Sequence, residues 1–137
     1  MRVVLDTNCL VSAIGWGGSP YKVLRACLNN QLELYTSPAL LDELTRVLSR
    51  PRLAVVASHP DLPVVLAWLH DSARVVFPQV KVDIVKEDLD DNRVIECALA
   101  AQASAVITGD DHLLALGNYQ GIVFCSPREA CDRWGLG

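Results

Sequence analysis

The apolar positions of the chain follow two spacings in alternation. Short unbroken runs recur at Val3-Val4-Leu5, Leu34-Tyr35, Val75-Val76-Phe77, Ala105-Val106-Ile107 and Ile122-Val123-Phe124. Runs of this length, several rich in β-branched residues, predict strands buried on both faces, as in a parallel sheet. Between them the spacing widens to three and four. Val23, Leu24, Cys27 and Leu28 share one face of a helix predicted from about Pro20 to Asn29, and Leu40, Leu41, Leu44, Val47 and Leu48 one face of a helix from Pro38 to about Ser49. A helical stretch follows Arg50-Pro51-Arg52, breaks at His59-Pro60-Asp61 and resumes from Leu62 to Asp71. The run Asp88-Leu89-Asp90-Asp91-Asn92 heads a helix whose apolar face is Val94, Ile95, Ala98, Leu99 and Gln102. Short helices are expected from Asp111 to a stop near Gly117, and from Ser126-Pro127 to Trp134. Ser19-Pro20, Ser37-Pro38 and Ser126-Pro127 each read as a cap followed by a first-turn proline. Residues 81–89 form a charged connection, with a short extended piece expected at 82–85. Alternating strand and helix predicts an α/β fold: a central parallel sheet of about five strands, covered by helices on both faces.

Composition narrows this picture without redirecting it. A chain of 137 residues, 51% apolar, can bury one core, so a single domain over 1–137 is expected. No apolar run approaches the roughly 18 residues of a membrane span. The first strand follows Met1-Arg2 directly, without a signal-peptide pattern. Five cysteines, odd in number and without Cys-x-x-Cys spacing, favour reduced, packed thiols. A cytoplasmic protein is therefore expected. The net charge of -4 lacks the basic balance usual for a nucleic-acid partner, but 16 acids against 12 Lys and Arg become even if four acids hold metal.

The acids then supply candidate chemistry. Ligands of open α/β sheets sit beyond the carboxyl ends of the strands. Asp6 and Asp110 stand at two such ends, in Leu5-Asp6-Thr7-Asn8 and Thr108-Gly109-Asp110. Glu43 lies at the margin of its helix's apolar stripe, and Asp91 three and four residues before Val94 and Ile95, on the inward side of a first turn. Carboxylates gathered at one place raise one another's pKa, and burial raises it further, so a cation must offset them. No lysine or histidine occupies a strand end among them. Oxygen-only donors select Mg²⁺ or Mn²⁺ over zinc. Such ions usually act on phosphate, which points to a hydrolytic phosphodiesterase. Thr7, Asn8, Ser37, Asn92 and Thr108 are expected to hydrogen-bond to the carboxylates and aim them. The glycine loop Gly15-Trp16-Gly17-Gly18 is a turn, since Pro20 takes the place of a third glycine and no Gly-Lys-Ser/Thr follows.

Taken in order, Leu5-Asp6-Thr7-Asn8, Ser37-Pro38 leading to Glu43, Asp90-Asp91-Asn92 before an Ala-rich helix, Thr108-Gly109-Asp110 and Ser126-Pro127-Arg128-Glu129 resemble the PIN-domain ribonucleases. The resemblance is strongest to the branch containing VapC and its relatives, the toxins of toxin–antitoxin systems. It implies a three-layer α/β/α sandwich, Mg²⁺- or Mn²⁺-dependent cleavage of single-stranded RNA, a cognate antitoxin protein and a homodimer or higher homo-oligomer. On these positions Asp6 and Asp91 would be the firmest metal ligands, Glu43 would bind or bridge metal, and Asp110 would complete the set. Many family members read Thr-x-Asp-x-Asp, where this chain ends on His112; Asp111 should point elsewhere. Asp90 takes the place of Asp91 if the helix register shifts by one.

Rival readings differ at identifiable residues. A haloacid-dehalogenase-like phosphatase needs a second acid where Asn8 stands, and a later lysine; a phospho-receiver needs a lysine where Ser126-Pro127-Arg128 stands. A catalytically inactive PIN-like RNA- or protein-binding module would not need all four acids. Arg46, Arg50 and Arg52 could contact RNA beside Glu43, or merely compensate the helix C-terminus.

Overall fold

The computed structural model describes residues 1–137. Its strands are β1 (Arg2–Leu5), β2 (Glu33–Thr36), β3 (Arg74–Val75), β4 (Ala105–Ile107), β5 (Asn118–Tyr119) and β6 (Ile122–Cys125). Its helices are α1 (Thr7–Gly15), α2 (Gly18–Leu28), α3 (Pro38–Leu48), α4 (Ala54–Ala57), α5 (Leu62–Asp71), α6 (Leu89–Ala101), α7 (Asp111–Leu114) and α8 (Pro127–Trp134), with a 3₁₀ turn at Pro51–Leu53. They form a three-layer α/β/α sandwich around one sheet, ordered β3-β2-β1-β4-β6-β5. All pairings are parallel except β5 with β6.

The central strands are buried on both faces, and their side chains divide the core in two. Val3, Leu5, Ala105 and Ile107 face a cluster with α1, α2, α5 and α8. Val4, Val106, Tyr35 and Phe124 face a second with α6 and Leu113. This is the two-residue period of a strand written across a β-strand pair in register, Val3 beside Ala105 and Val4 beside Val106. Helix α3 gives Leu44 and Val47 to the first cluster and Leu40 to the second, and packs against both α1 and α6. It thus crosses the carboxyl end of the sheet, carrying Glu43 there. All five cysteines are free and buried. No single helix is long and apolar enough to cross a membrane.

Several local expectations are corrected. A sixth strand, β5, closes the sheet in antiparallel fashion; it has no apolar run to announce it. Its turn is Gln120-Gly121, both at positive φ (50° and 83°), the backbone a two-residue hairpin requires. Strand β3 ends at Val75, although Val76 N–H still donates to Thr36 O (2.9 Å); Phe77 leaves the sheet and is exposed. Helix α2 starts at Gly18 with Gly17 (φ 73°) as its cap, so Ser19 is inside the helix and not the cap. Residues 82–85 form no strand. Gln102, expected on the apolar face of α6, ends that helix in the left-handed conformation and is exposed.

Candidate active site

Asp6 follows β1 immediately and caps α1. Its Oδ1 accepts from Cys9 N–H (3.0 Å), which aligns the carboxylate with the start of the helix. Its Oδ2 accepts from the Thr108 hydroxyl, across 102 residues of sequence. Thr108 follows β4 and is fully buried. Its Oγ1 also accepts from Asp110 N–H (3.0 Å), so one hydroxyl links the ends of two adjacent strands and fixes both acids. Asp110 in turn caps α7, accepting at Oδ1 from His112 N–H (2.8 Å) and Leu113 N–H (3.2 Å).

Asp91 sits in the first turn of α6, 8% exposed, and its Oδ2 is buried without a hydrogen-bond partner. Burial, and then the Asp110, Asp88 and Asp6 carboxylates, push its pKa up to about 8. Desolvation likewise raises Asp6, against the opposing hydrogen bonds from Thr108 and Cys9. Glu43 is half-buried; desolvation and then the neighbouring Asp90 and Asp6 raise it, while Arg46 and the Thr7 hydroxyl pull the other way. The four acids therefore lie at one end of the sheet, each held by its own element, and Asp6, Glu43 and Asp91 each sense another of the group. The tightest grouping is different from the expected quartet. It comprises Asp91, Asp110 and His112, whose donor atoms all lie within 4.8 Å of one another. Sequence reading set His112 aside as a departure; its position two residues after Asp110, on the turn that Asp110 caps, was the available signal.

Asp90 is partly exposed and pairs with Arg46 (Nη2 to Oδ1, 3.6 Å), whereas Asp91 is buried. Asp91 is thus the inward acid, and Arg46, itself largely exposed, lies beside Asp90. Arg50 and Arg52 are exposed beyond the end of α3, and Asp111 is exposed. Two of the residues expected to aim carboxylates do other work. The Ser37 hydroxyl caps α3, accepting from Leu40 N–H (3.4 Å). Asn92 is buried and bonds to the 82–85 loop: Oδ1 accepts from Ile84 and Val85 N–H (2.9 Å each), and Nδ2 donates to Val85 O (2.8 Å). Glu96, which sequence reading passed over, extends this anchor by accepting from Val82 N–H (2.9 Å) while paired with Arg93 (2.8 Å).

Beside Asp110 opens a polar cleft of about 640 Å³, with Asn8, Ser12, Ser19, Ser126 and Arg128 along its walls and Asp111 at its rim. Arg128 joins no ion pair. Asn8 is exposed and lines the same cleft as Asp110.

Comparison with known proteins bears on the fold and the family. The fold is similar to a solved structure of VapBC2 from Rickettsia felis bound to a DNA fragment from their promoter, with a TM-score of 0.57 and 16% identity over 90% of this chain and 97% of that one. A protein of Methanocaldococcus jannaschii, described only as uncharacterized, is 30% identical over 118 residues, 85% of this chain and 75% of the relative. The family model of the PIN domain matches residues 2–112, a span that contains all four acids. The chain belongs to the PIN-domain family.

Proposed function

We propose that this protein is a divalent-metal-dependent endoribonuclease that hydrolyses phosphodiester bonds in single-stranded RNA, as the toxin of a toxin–antitoxin pair. The observation that carries the reading is Asp91: a buried carboxylate with an unpartnered oxygen, beside a second carboxylate at Asp110. Such a site is electrostatically incomplete without a cation, and its carboxylate donors suit Mg²⁺ or Mn²⁺. Asp91, Asp110, Asp6 and Glu43 would hold the ion. When bound, it would activate a water and stabilise charge on the phosphate.

The rest of the chemistry belongs to side-chain placement. Thr108 keeps Asp6 and Asp110 in fixed relation, so neither must reorganise when substrate arrives. Cys9 N–H and the α7 amides each occupy only part of a carboxylate's acceptor capacity. The cleft beside Asp110 would take the RNA backbone, with Arg128 toward a phosphate and the serine hydroxyls and Asn8 toward phosphate or ribose oxygens. The likeness to VapBC2 supports a protein partner of antitoxin type.

The test is cleavage of a mixed single-stranded RNA in Mg²⁺, Mn²⁺ or EDTA, alongside Asp6→Asn. Cutting that requires metal and is abolished by the substitution is expected. A wild type that binds Mn²⁺ by calorimetry yet cuts no RNA overturns the enzymatic reading and leaves a binding module.

A further inference from the structure

We infer that His112 is itself a ligand of the divalent cation, and that its imidazole shifts the site away from Mg²⁺ toward transition-metal ions such as Mn²⁺. The inference rests on the metal-dependent reading above and concerns which donors this chain offers. Two independent observations carry it. The first is spacing: the imidazole, Asp91 and Asp110 place one donor atom each within 4.8 Å of the others, and His112 Nδ1 lies 3.7 Å from Asp110 Oδ1. Donors around one ion at about 2.1 Å stand about 3 Å apart when adjacent and about 4.2 Å when opposite, so the observed separations need little adjustment. The second is the unpartnered, nine-tenths buried Asp91 carboxylate in the same group, which asks for a positive partner that no protein group supplies.

The local fold holds the imidazole there. His112 is the second residue of α7, and its N–H is bonded to the carboxylate that caps the helix. Its side chain is half-exposed, so it can complete a coordination shell from the solvent side while Asp91 does so from the core. Where relatives with Thr-x-Asp-x-Asp would offer a carboxylate, this chain offers a neutral nitrogen. That exchange has two effects of the same sign. Mg²⁺ loses a hard, charged oxygen donor, whereas first-row transition ions accept nitrogen readily. The site also carries one negative charge fewer, which weakens any purely ionic attraction.

The experiment compares wild type, His112→Asn and His112→Asp by Mn²⁺ titration, Mg²⁺ competition and pulsed electron paramagnetic resonance of bound Mn²⁺. Wild type is expected to show nitrogen hyperfine coupling that both substitutions remove. His112→Asp should lower the preference for Mn²⁺ over Mg²⁺ by about tenfold, the scale expected when one well-placed interaction at a metal site is changed. Because the side chain is half-exposed, both variants should fold, which circular dichroism checks. Bound Mn²⁺ without histidine-dependent coupling, or an unchanged preference in His112→Asp, overturns the inference and leaves an all-carboxylate metal site. Failure of wild type to bind Mn²⁺ at all overturns the metal-dependent reading as well.

Discussion

Asp91→Asn should make the cation-free protein more stable. The folded protein keeps a proton on Asp91 up to about pH 8, whereas the unfolded chain releases it near the ordinary carboxylate value of 3.8. The native state therefore binds more protons throughout that interval. Stability is fully present below the unfolded pKa and is lost as pH rises toward about 8. Asp6 and Glu43, also raised, contribute in the same direction. At pH 7 the interval is a little over three pH units, which at about 1.36 kcal/mol each gives an upper figure of about 4 kcal/mol. The cluster opens on solvent at Asp110 and His112, and screening there reduces the working figure to about 2 kcal/mol. Asparagine removes the charge, keeps the shape and can donate to Asp110. For a chain of this size, 2 kcal/mol corresponds to a rise in Tm of roughly 6–10 °C. The assay is thermal unfolding of both proteins in EDTA between pH 5 and 9, repeated with Mn²⁺. Without metal, Asp91→Asn should melt higher, with the gap widening toward alkaline pH. With Mn²⁺ the order should narrow or reverse, because the wild type gains the ligand's binding energy. A variant that melts at or below wild type at pH 8 in EDTA, or a wild type whose stability does not fall between pH 5 and pH 8, would refute the reasoning.

Thr108→Val leaves Asp6 Oδ2 and Asp110 N–H without their shared partner and should cost about 2–3 kcal/mol in urea unfolding, with Thr108→Ser recovering most of it; a loss confined to activity would contradict the hydroxyl's bridging role. Asn92→Ala cuts three bonds to the 82–85 loop, so Ile84 and Val85 amides should exchange hydrogen faster than amides in β1 and β4, and unchanged protection there would count against the anchor. A Cβ added at Gly15 meets Val56 Cγ2 at 2.7 Å, so Gly15→Ala should lose about 1–3 kcal/mol, and adding Val56→Ala should cost less in that background than in wild type. Simple additivity of the two would show that the neighbours do not collide.

The legible parts of the fold were those written in burial. Val3, Val4, Val106 and Ile107 are buried on both faces because they sit in central parallel strands, and a run of β-branched residues reports that directly. The inward turn of Asp91 and the marginal position of Glu43 followed from three-and-four spacing against Val94, Ile95, Leu40 and Val47. What spacing could not show was side-chain partnership. Asn92 and Ser37 have the right chemistry to aim carboxylates, but their bonds go to a loop and a helix start, a choice made by tertiary packing. Strand β5 was illegible because two residues carry no period, and it exists through the positive φ of Gln120 and Gly121. His112 was visible as a residue but not as a neighbour of Asp91, since only the meeting of α6 and α7 brings them together.

The bond from Thr108 to Asp6 joins residues 102 positions apart, and it lies between strands that are neighbours in space. During synthesis, β1 emerges first and can pair early with β2, but its other edge stays vacant until β4 leaves the ribosome. Until then Asp6 lacks its hydroxyl partner, and Asp91 lacks both Asp110 and His112. A nascent or truncated chain ending before Thr108 is thus an incomplete sheet with dispersed acids. For a protein whose proposed activity is cutting RNA, this ordering keeps the blade unassembled while the chain is still attached to the message and ribosome that make it.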